Sequence, residues 1–245
     1  MINETIEDLQ CMGLKIVQDK DGFRFGTDAV LLADFASGCH AKTALDFCTG
    51  NGIIPILLSA KSSVKKIYGM EIQKYAAELA RKSVEINNLD ERIEIINGDI
   101  KKCTDFFPKR SFDMITCNPP YMKCGSAIVN DGDSKTVARH EVCCTLEDVI
   151  CEAEKMLSLK GRFYMVHRPL RLAETIACMK KYKIEPKKIR FVHPDVNSEP
   201  VLFLIEGLLF GKEEVRVMPP LILKNENGEE SDELKKIYNR EDVMR

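Results

Sequence analysis

Residues 42–61, KTALDFCTGNGIIPILLSAK, decide the fold of this chain. The first seven form an apolar run that predicts a strand, and a turn containing Gly50 and Gly52 follows directly. The next run, IIPILLSAK, predicts a helix with Pro55 near its start, where a missing N–H costs little. A strand, a glycine turn and a helix in direct succession are typical of α/β proteins that bind a ligand at the turn.

The same alternation continues outward in both directions. Capping residues Thr145 and Asp148 begin one further helix. The other predicted helices span 27–36, 73–88 and 169–182, and the other strands 65–71, 92–98, 112–117, 161–167, 187–193 and 200–210. We therefore expect an α/β fold, a Rossmann-like doubly wound sheet that is mainly parallel. Only PDVNSE separates the last two strands, which predicts an antiparallel strand pair at the C-terminal end.

The ends of the chain differ in pattern from its centre. Residues 14–26 alternate around Asp21 and Gly22, which predicts a small hairpin. We expect residues 1–42, the hairpin and the first helix, to cover the ligand site of a single domain that spans 1–223. Residues 224–245 are mostly charged and predict a tail with a loop and a short helix.

Composition limits the classes of function. Hydrophobic residues make up 44% of the 245 residues and charged residues 30%, as in ordinary globular proteins. The polar, acidic start MINETIEDLQ does not resemble a secretory signal, and no apolar run approaches a membrane span. None of the ten cysteines forms a C-x-x-C pair, and H-x-x-x-H is absent. These features predict a cytoplasmic protein with free thiols, no membrane association and no metal site.

The net charge of −2 hides a basic segment. Residues 151–190 contain eleven basic and four acidic residues, a local charge of +7. Such a segment could face a polyanion, or it could be a solvated lysine-rich face. Charge alone does not decide between these two interpretations.

Polar residues occur where successive predicted strands end, the edge at which doubly wound sheets bind ligands. Asp46, Gly50 and Gly52 follow the first of these strands. Glu71 ends the second and could accept both hydroxyls of a ribose, and Asp99 follows the third and could hold an adenine amino group. Together with Asn118 after the fourth strand, they predict an adenosine-containing cofactor.

The glycine turn indicates which cofactor this is. A dinucleotide site requires G-x-G-x-x-G, but Pro55 stands at the third glycine position. Asp46 also places a negative charge where phosphates would lie, and it suits the cationic end of an amino acid better. We therefore expect S-adenosylmethionine, which has no phosphate.

A second stretch, FDMITCNPPYMK at 112–123, ends its strand in Asn118, Pro119, Pro120 and Tyr121. Proline fixes its own φ, donates no N–H, and holds the preceding residue extended. The result is a rigid tip with exposed acceptors beside an aromatic ring.

Three stretches carry a resemblance to a known family: FRFGTDAVLLADFA at 23–36, DFCTGNGIIPILL at 46–58, and NPPYMKCGS with ARHE between 118 and 141. The chain resembles class I S-adenosylmethionine-dependent methyltransferases with an Asn-Pro-Pro-Tyr motif. It is most similar to bacterial tRNA (adenine-N6) methyltransferases that modify the purine following the anticodon of valine tRNA. Cys48 stands where the family has its first glycine.

The resemblance implies roles for individual residues and a tRNA substrate. The Asn118 side chain and the Pro119 carbonyl would each accept one N6 hydrogen, and Tyr121 would stack on the target adenine. Thr27 and Asp28 would cover the methionine end of the cofactor, although they could equally be a helix N-cap. The group Arg139, His140 and Glu141 would order the loop over the substrate or simply pair internally.

Two alternatives remain open at this stage. The Asn-Pro-Pro-Tyr motif also occurs in protein-glutamine N5 methyltransferases that act on release factors. Those usually carry a sizeable helical domain before the cofactor site, and only 45 residues precede Asp46. A non-catalytic RNA-binding scaffold is the second alternative, but it would have no use for Asp46, Glu71, Asp99 and Asn118 together.

Overall fold

The computed structural model describes residues 4–20, 26–119 and 144–238. The strands are β1 (Glu4–Asp8), β2 (Lys15–Asp19), β3 (Thr43–Phe47), β4 (Lys66–Glu71), β5 (Ile93–Asn97), β6 (Phe112–Cys117), β7 (Leu157–His167), β8 (Ile184–His193), β9 (Leu202–Leu209), β10 (Arg216–Val217) and β11 (Leu221–Ile222). The helices are α1 (Thr27–Ser37), α2 (Ile53–Lys61), α3 (Lys74–Ile86), α4 (Cys103–Phe106), α5 (Leu146–Met156), α6 (Leu172–Lys181) and α7 (Asp232–Ile237).

A nine-stranded sheet forms the centre, in the order β10-β8-β9-β7-β6-β3-β4-β5, with β11 also paired to β8. Neighbouring strands from β5 to β7 are parallel. Strand β9 runs antiparallel to both β7 and β8. The mainly parallel Rossmann-like sheet with an antiparallel C-terminal pair is therefore confirmed.

Helices cover both faces of this sheet because their apolar residues need burial. The α2 sequence is apolar along almost its whole length, and Ile53–Ser59 are all buried. Together with α1 and α3 it packs on one face, around residues such as Leu31 and Ile67. On the other face α5 and α6 pack around residues such as Phe47 and Phe163.

The predicted capping box begins α5. Oγ1 of Thr145 accepts the Asp148 N–H at 3.1 Å, and Oδ2 of Asp148 accepts the Thr145 N–H at 2.9 Å. Two N–H groups that lack partners inside the helix are thereby satisfied.

The hairpin that the structure describes lies earlier in the chain than the predicted one. It pairs β1 with β2, from Glu4 opposite Asp19 to Asp8 opposite Lys15, and the chain turns between residues 9 and 14. Gly13 in that turn has φ +72°, a conformation that favours glycine. The Asp21-Gly22 pair that suggested the turn lies outside the described residues.

The described part of the tail packs against the core. The predicted short helix is α7, and its Leu234 and Ile237 are buried in the same cluster as α1 and α2. Nζ of Lys61, on α2, donates to the carbonyl of Ile237 at 2.5 Å and also to Asp34 at 2.9 Å. The charged tail thus contributes apolar side chains to the core.

Candidate active site

Four parallel strands end in line at one edge of the sheet. Cα partners run in one row from Ile96 through Met70 and Phe47 to Cys117. Except for Asp46, which precedes Phe47 within β3, each predicted strand-end residue follows its member of this row. The structure therefore brings the glycine turn, Glu71, Asp99 and Asn118 to a common edge.

The turn after β3 depends on its glycines. Gly50 has φ +58° and Gly52 has φ +86°, both in the left-handed region. A Cβ on Gly52 would also lie 3.2 Å from Cβ of Ala80, so α3 approaches this turn closely. Cys48 has φ +55°, and its backbone therefore takes a conformation that glycine adopts more readily.

Glu71 ties β4 to this turn. Its Oε2 accepts the Gly50 N–H at 2.9 Å, and its Oε1 accepts the Gln73 N–H at 2.9 Å. The residue is only 6% exposed, so its carboxylate is held in one orientation. Each oxygen keeps a further lone pair, which is what a ribose diol requires.

Asp46 lies beneath the turn and not on the open edge. It is completely buried, and the Thr116 hydroxyl donates to its Oδ1 at 2.6 Å. Its Oδ2 and the Thr49 hydroxyl have no well-formed hydrogen bond among the described residues. Burial raises the pKa of Asp46 to about 7; the Thr116 and Thr49 hydroxyls act against the rise, and Glu71 adds to it.

This burial bears on the predicted role of Asp46. A side chain that is fully covered does not touch a ligand at the edge in this conformation. Its charge can still act on a cation above the turn, because the surrounding protein screens it weakly. An effect of Asp46 on the cationic end of the cofactor, through its potential and not through contact, stays a prediction.

Asp99 begins the short helical turn Ile100–Lys102 that follows β5. Its Oδ1 accepts the Lys101 N–H at 3.0 Å, while Oδ2 lies 3.9 Å from Nζ of Lys101. One oxygen therefore has a structural role, and contact of the other with adenine stays a prediction.

Asn118 and Pro119 follow β6 at the edge; Asn118 is half-buried and Pro119 is buried. Tyr121, Arg139, His140 and Glu141 lie outside the described residues.

Thr27 and Asp28 form the first turn of α1. The N-cap of α1 is Gly26, with no side-chain capping bond, so the interpretation of Thr27 and Asp28 as the N-cap is wrong. Oδ1 of Asp28 accepts the Ala29 N–H at 2.9 Å within the first turn. Their contact with the cofactor stays a prediction.

Three thiols, which sequence reasoning did not group, lie beside Asn118. The neighbouring Cys117 thiol and burial raise the pKa of Cys48 well above its ordinary value, while Cys144 acts against the rise. The Cys48 thiol therefore stays protonated near neutral pH, which does not suit a nucleophile. The sequence could have grouped two of these thiols, because Cys48 directly follows β3 and Cys117 ends the adjacent strand β6.

Thr116 was also missed as a partner of Asp46. The two are Cα partners on neighbouring strands, so their side chains point to the same face. Position alone could have paired them, since each is the second-to-last residue of its strand.

His167 ends β7 and is almost fully buried. Its Nδ1 accepts the Arg168 N–H at 2.8 Å, and its ring stacks on Phe203. Burial, with Arg171 and Arg168 nearby, lowers its pKa to about 4. His167 is therefore a neutral, packed histidine.

Many side chains of the basic segment pair with acidic residues. The pairs include Lys155–Glu152, Arg162–Glu206, Lys181–Glu147, Lys188–Glu206 and Arg190–Glu233. Strand β8 begins at Ile184, opposite the last residue of the antiparallel β9, so Lys180 and Lys181 lie at the edge away from Asn118. The structure favours a paired surface for these lysines over a polyanion-binding face.

The described ranges contain neither a membrane-spanning helix nor a metal-binding group of side chains. Across residues 4–20, 26–119 and 144–238, no helix is long and apolar enough to cross a membrane. Within those ranges, no three His, Cys, Asp or Glu side chains are grouped so that they could hold a metal ion.

Known proteins resemble this chain in sequence and in fold. Residues 16–186 match the family described as Methyltransferase small domain. A Porphyromonas gingivalis protein named tRNA1(Val) (adenine(37)-N6)-methyltransferase is 32% identical over 189 residues, which cover 75% of this chain and 73% of that protein. A Pedobacter heparinus protein of the same name is 30% identical, covering 76% of this chain and 78% of its own.

A solved structure agrees in fold. A predicted O-methyltransferase from Agrobacterium tumefaciens superposes with a TM-score of 0.71 at 22% identity, covering 86% of this chain and 95% of that chain. The sheet and its helices are therefore those of a methyltransferase fold.

Proposed function

The chain belongs to the methyltransferase small domain family, and from this premise we propose that it methylates the exocyclic N6 of an adenine in tRNA, with S-adenosylmethionine as donor. The observation that carries the proposal is the shared edge at which Asn118 stands beside the glycine turn and Glu71. Curated relatives with the same activity in their names support the substrate. The target is the purine that follows the anticodon, and the reaction takes place in the cytoplasm.

The residues of this edge fit S-adenosylmethionine. Asp46 is a buried carboxylate with one oxygen lacking a well-formed hydrogen bond among the described residues, as expected beneath a cationic amino-acid group. Gly50 and Gly52 would let the backbone of the turn pass close to the cofactor. Glu71 would hold the ribose, and Asp99 would hold the adenine. When bound, S-adenosylmethionine supplies an electrophilic methyl group on a sulfonium.

Asn118 and Pro119 act on the acceptor nitrogen. The N6 lone pair of adenine is delocalised into the ring, which makes it a poor nucleophile. The Asn118 side-chain oxygen and the Pro119 carbonyl each accept one N6 hydrogen, which favours a pyramidal nitrogen with its lone pair directed at the methyl group. Both acceptors are fixed in advance by the prolines, so the alignment adds little reorganisation to the barrier.

Proton transfer does not require a catalytic base. With the methyl group that S-adenosylmethionine would supply, N6 would carry one extra proton, and this proton would leave to solvent after transfer. Tyr121 provides the ring on which the extruded adenine stacks.

The test is to incubate the protein with labelled S-adenosylmethionine and unmodified total tRNA, digest the RNA, and identify the labelled nucleoside. We expect N6-methyladenosine. Label in another nucleoside would refute the N6 assignment. Label in release-factor glutamine but not in tRNA would establish the protein-glutamine alternative. A scaffold without catalysis would label neither.

A further inference from the structure

The turn after β7 exposes an apolar side chain completely. It runs from Arg168 through the helical turn Pro169–Arg171, and its Leu170 is 95% exposed. Within the described residues no other large apolar side chain is as exposed. Single exposed leucines are common on protein surfaces, so exposure alone does not indicate a function for Leu170. Its position in the fold has to be considered as well.

The sheet places this turn beside the candidate active site. Cys117, the last residue of β6, pairs with Met165 on the adjacent β7. Asn118 and Pro119 therefore extend alongside the last residues of β7, and the turn begins just beyond them. Leu170 stands at the same sheet edge as the proposed chemistry.

Internal bonds hold the turn in shape. The Arg168 N–H donates to Nδ1 of His167 at 2.8 Å, and the Arg171 N–H donates to the Arg168 carbonyl at 2.9 Å. The Arg171 guanidinium forms two hydrogen bonds with Glu174. The exposure of Leu170 is thus a property of an ordered turn.

An exposed apolar turn at this position could contact an RNA substrate. A purine stacked in an anticodon loop must swing out to reach Asn118, and this leaves a gap between its neighbours. Proteins that unstack bases often fill such a gap with an apolar side chain. The exposed Arg168 next to Leu170 complements the negative charge of the adjoining phosphates.

We propose that the turn from Arg168 to Arg171 is an RNA-docking surface, in which Leu170 fills the gap left by the extruded adenine and Arg168 contacts a neighbouring phosphate. This inference rests on the proposed tRNA substrate. The proposed RNA site lies within the basic segment but does not include its paired lysines.

The test uses an anticodon stem-loop RNA carrying 2-aminopurine at the target position, whose fluorescence rises on unstacking. We expect the parent protein to raise the fluorescence and Leu170→Ala to lose most of that rise. For methylation of the natural stem-loop, kcat/KM should fall roughly tenfold. The contact of Leu170 would no longer offset the free-energy cost of unstacking the adenine. Leu159→Ala is the matched control, because Leu159 is 75% exposed on β7 but lies near the end of that strand away from the turn.

Arg168→Ala tests the phosphate contact separately. Removing one phosphate contact should reduce the slope of log affinity against log salt by about 0.7–0.9. S-adenosylhomocysteine should bind all of these variants as tightly as it binds the parent.

The outcomes separate the two proposals. If the parent methylates the stem-loop and Leu170→Ala matches Leu159→Ala in fluorescence and kcat/KM, the docking inference is wrong and the proposed function stands. If the parent binds S-adenosylhomocysteine but neither binds nor methylates the RNA, the tRNA substrate and the docking surface are both refuted.

Discussion

Single side chains set the chemistry at the edge of the sheet, and Asn118 is the first to test. Because we propose that its amide faces the substrate, we expect Asn118→Ala to bind S-adenosylhomocysteine normally. Its kcat should fall by about 10²–10³, the usual effect of removing one preorganised polar group. Calorimetry and steady-state kinetics measure the two quantities, and a variant with parental kcat would exclude a catalytic role.

Thr116 and Asp46 give a prediction about pH. An ammonium above the turn favours the charged form of Asp46, so S-adenosylhomocysteine affinity should rise as pH increases through about 7. The Thr116 hydrogen bond lowers the pKa of Asp46. Thr116→Val should therefore move the midpoint to higher pH, whereas Thr116→Ser, which keeps the hydroxyl, should not.

Folding stability of the ligand-free protein should change in the opposite direction. The folded pKa of Asp46 is raised from 3.8 to about 7, so the contribution of this group is present at low pH and is lost as pH rises through that range. Glu71 is the other carboxylate that acts on Asp46 and should be kept intact in these experiments. Identical pH profiles for Thr116→Val and the parent would show that the hydrogen bond has no such role.

The strand-end residues could be predicted from sequence because parallel strands bring their carboxyl ends to one edge. Glu71 and Asn118 lie where that rule places them. The burial of Asp46 could not be predicted, because it depends on how the turn after β3 folds over the strand. The hydrogen bond from Thr116 to Asp46, in contrast, could have been predicted, because the two residues are each second-to-last in neighbouring parallel strands.

At the scale of elements, most boundaries followed from apolar runs and caps, and α2 and β6 have the predicted bounds. Strand β1 was missed because its sequence, ETIED, is mostly acidic and its Ile6 is 62% exposed. Strands β10 and β11 have two residues each, too few for any alternation to show.

Helix α7 supports a prediction about stability. Leu234 is 6% exposed in the core cluster, so Leu234→Ala should lower the free energy of unfolding by roughly 2–4 kcal/mol. Lys235→Ala, next to it on the exposed face, should change it by less than about 0.5 kcal/mol. Denaturant titration compares the two, and equal effects would mean that α7 does not stabilise the core.

At the scale of the whole molecule, the basic segment could not be interpreted from sequence because its partners are distant in the chain. Glu206, on β9, is almost fully buried and pairs with both Arg162 and Lys188. Glu147, on α5, pairs with Lys181 on α6. Only the packed fold shows that these charges neutralise one another.

Neutralising four of these lysines tests that view. Replacing Lys180, Lys181, Lys187 and Lys188 by Gln should leave KM for tRNA within about twofold, since each of these lysines already bonds to a group of the protein. The salt dependence of tRNA binding should also stay as it is in the parent. A large rise in KM with a flatter salt slope would show that this surface binds RNA after all.

The central claim is transfer to an exocyclic adenine nitrogen in tRNA, and one measurement tests it most directly. Two anticodon stem-loops, with adenosine or with purine riboside at the position after the anticodon, are incubated with labelled S-adenosylmethionine. Purine riboside lacks only the 6-amino group. We predict label in the adenosine RNA, recovered as N6-methyladenosine, and none in the purine riboside RNA. Equal labelling of both, or labelling of neither, would contradict the claim.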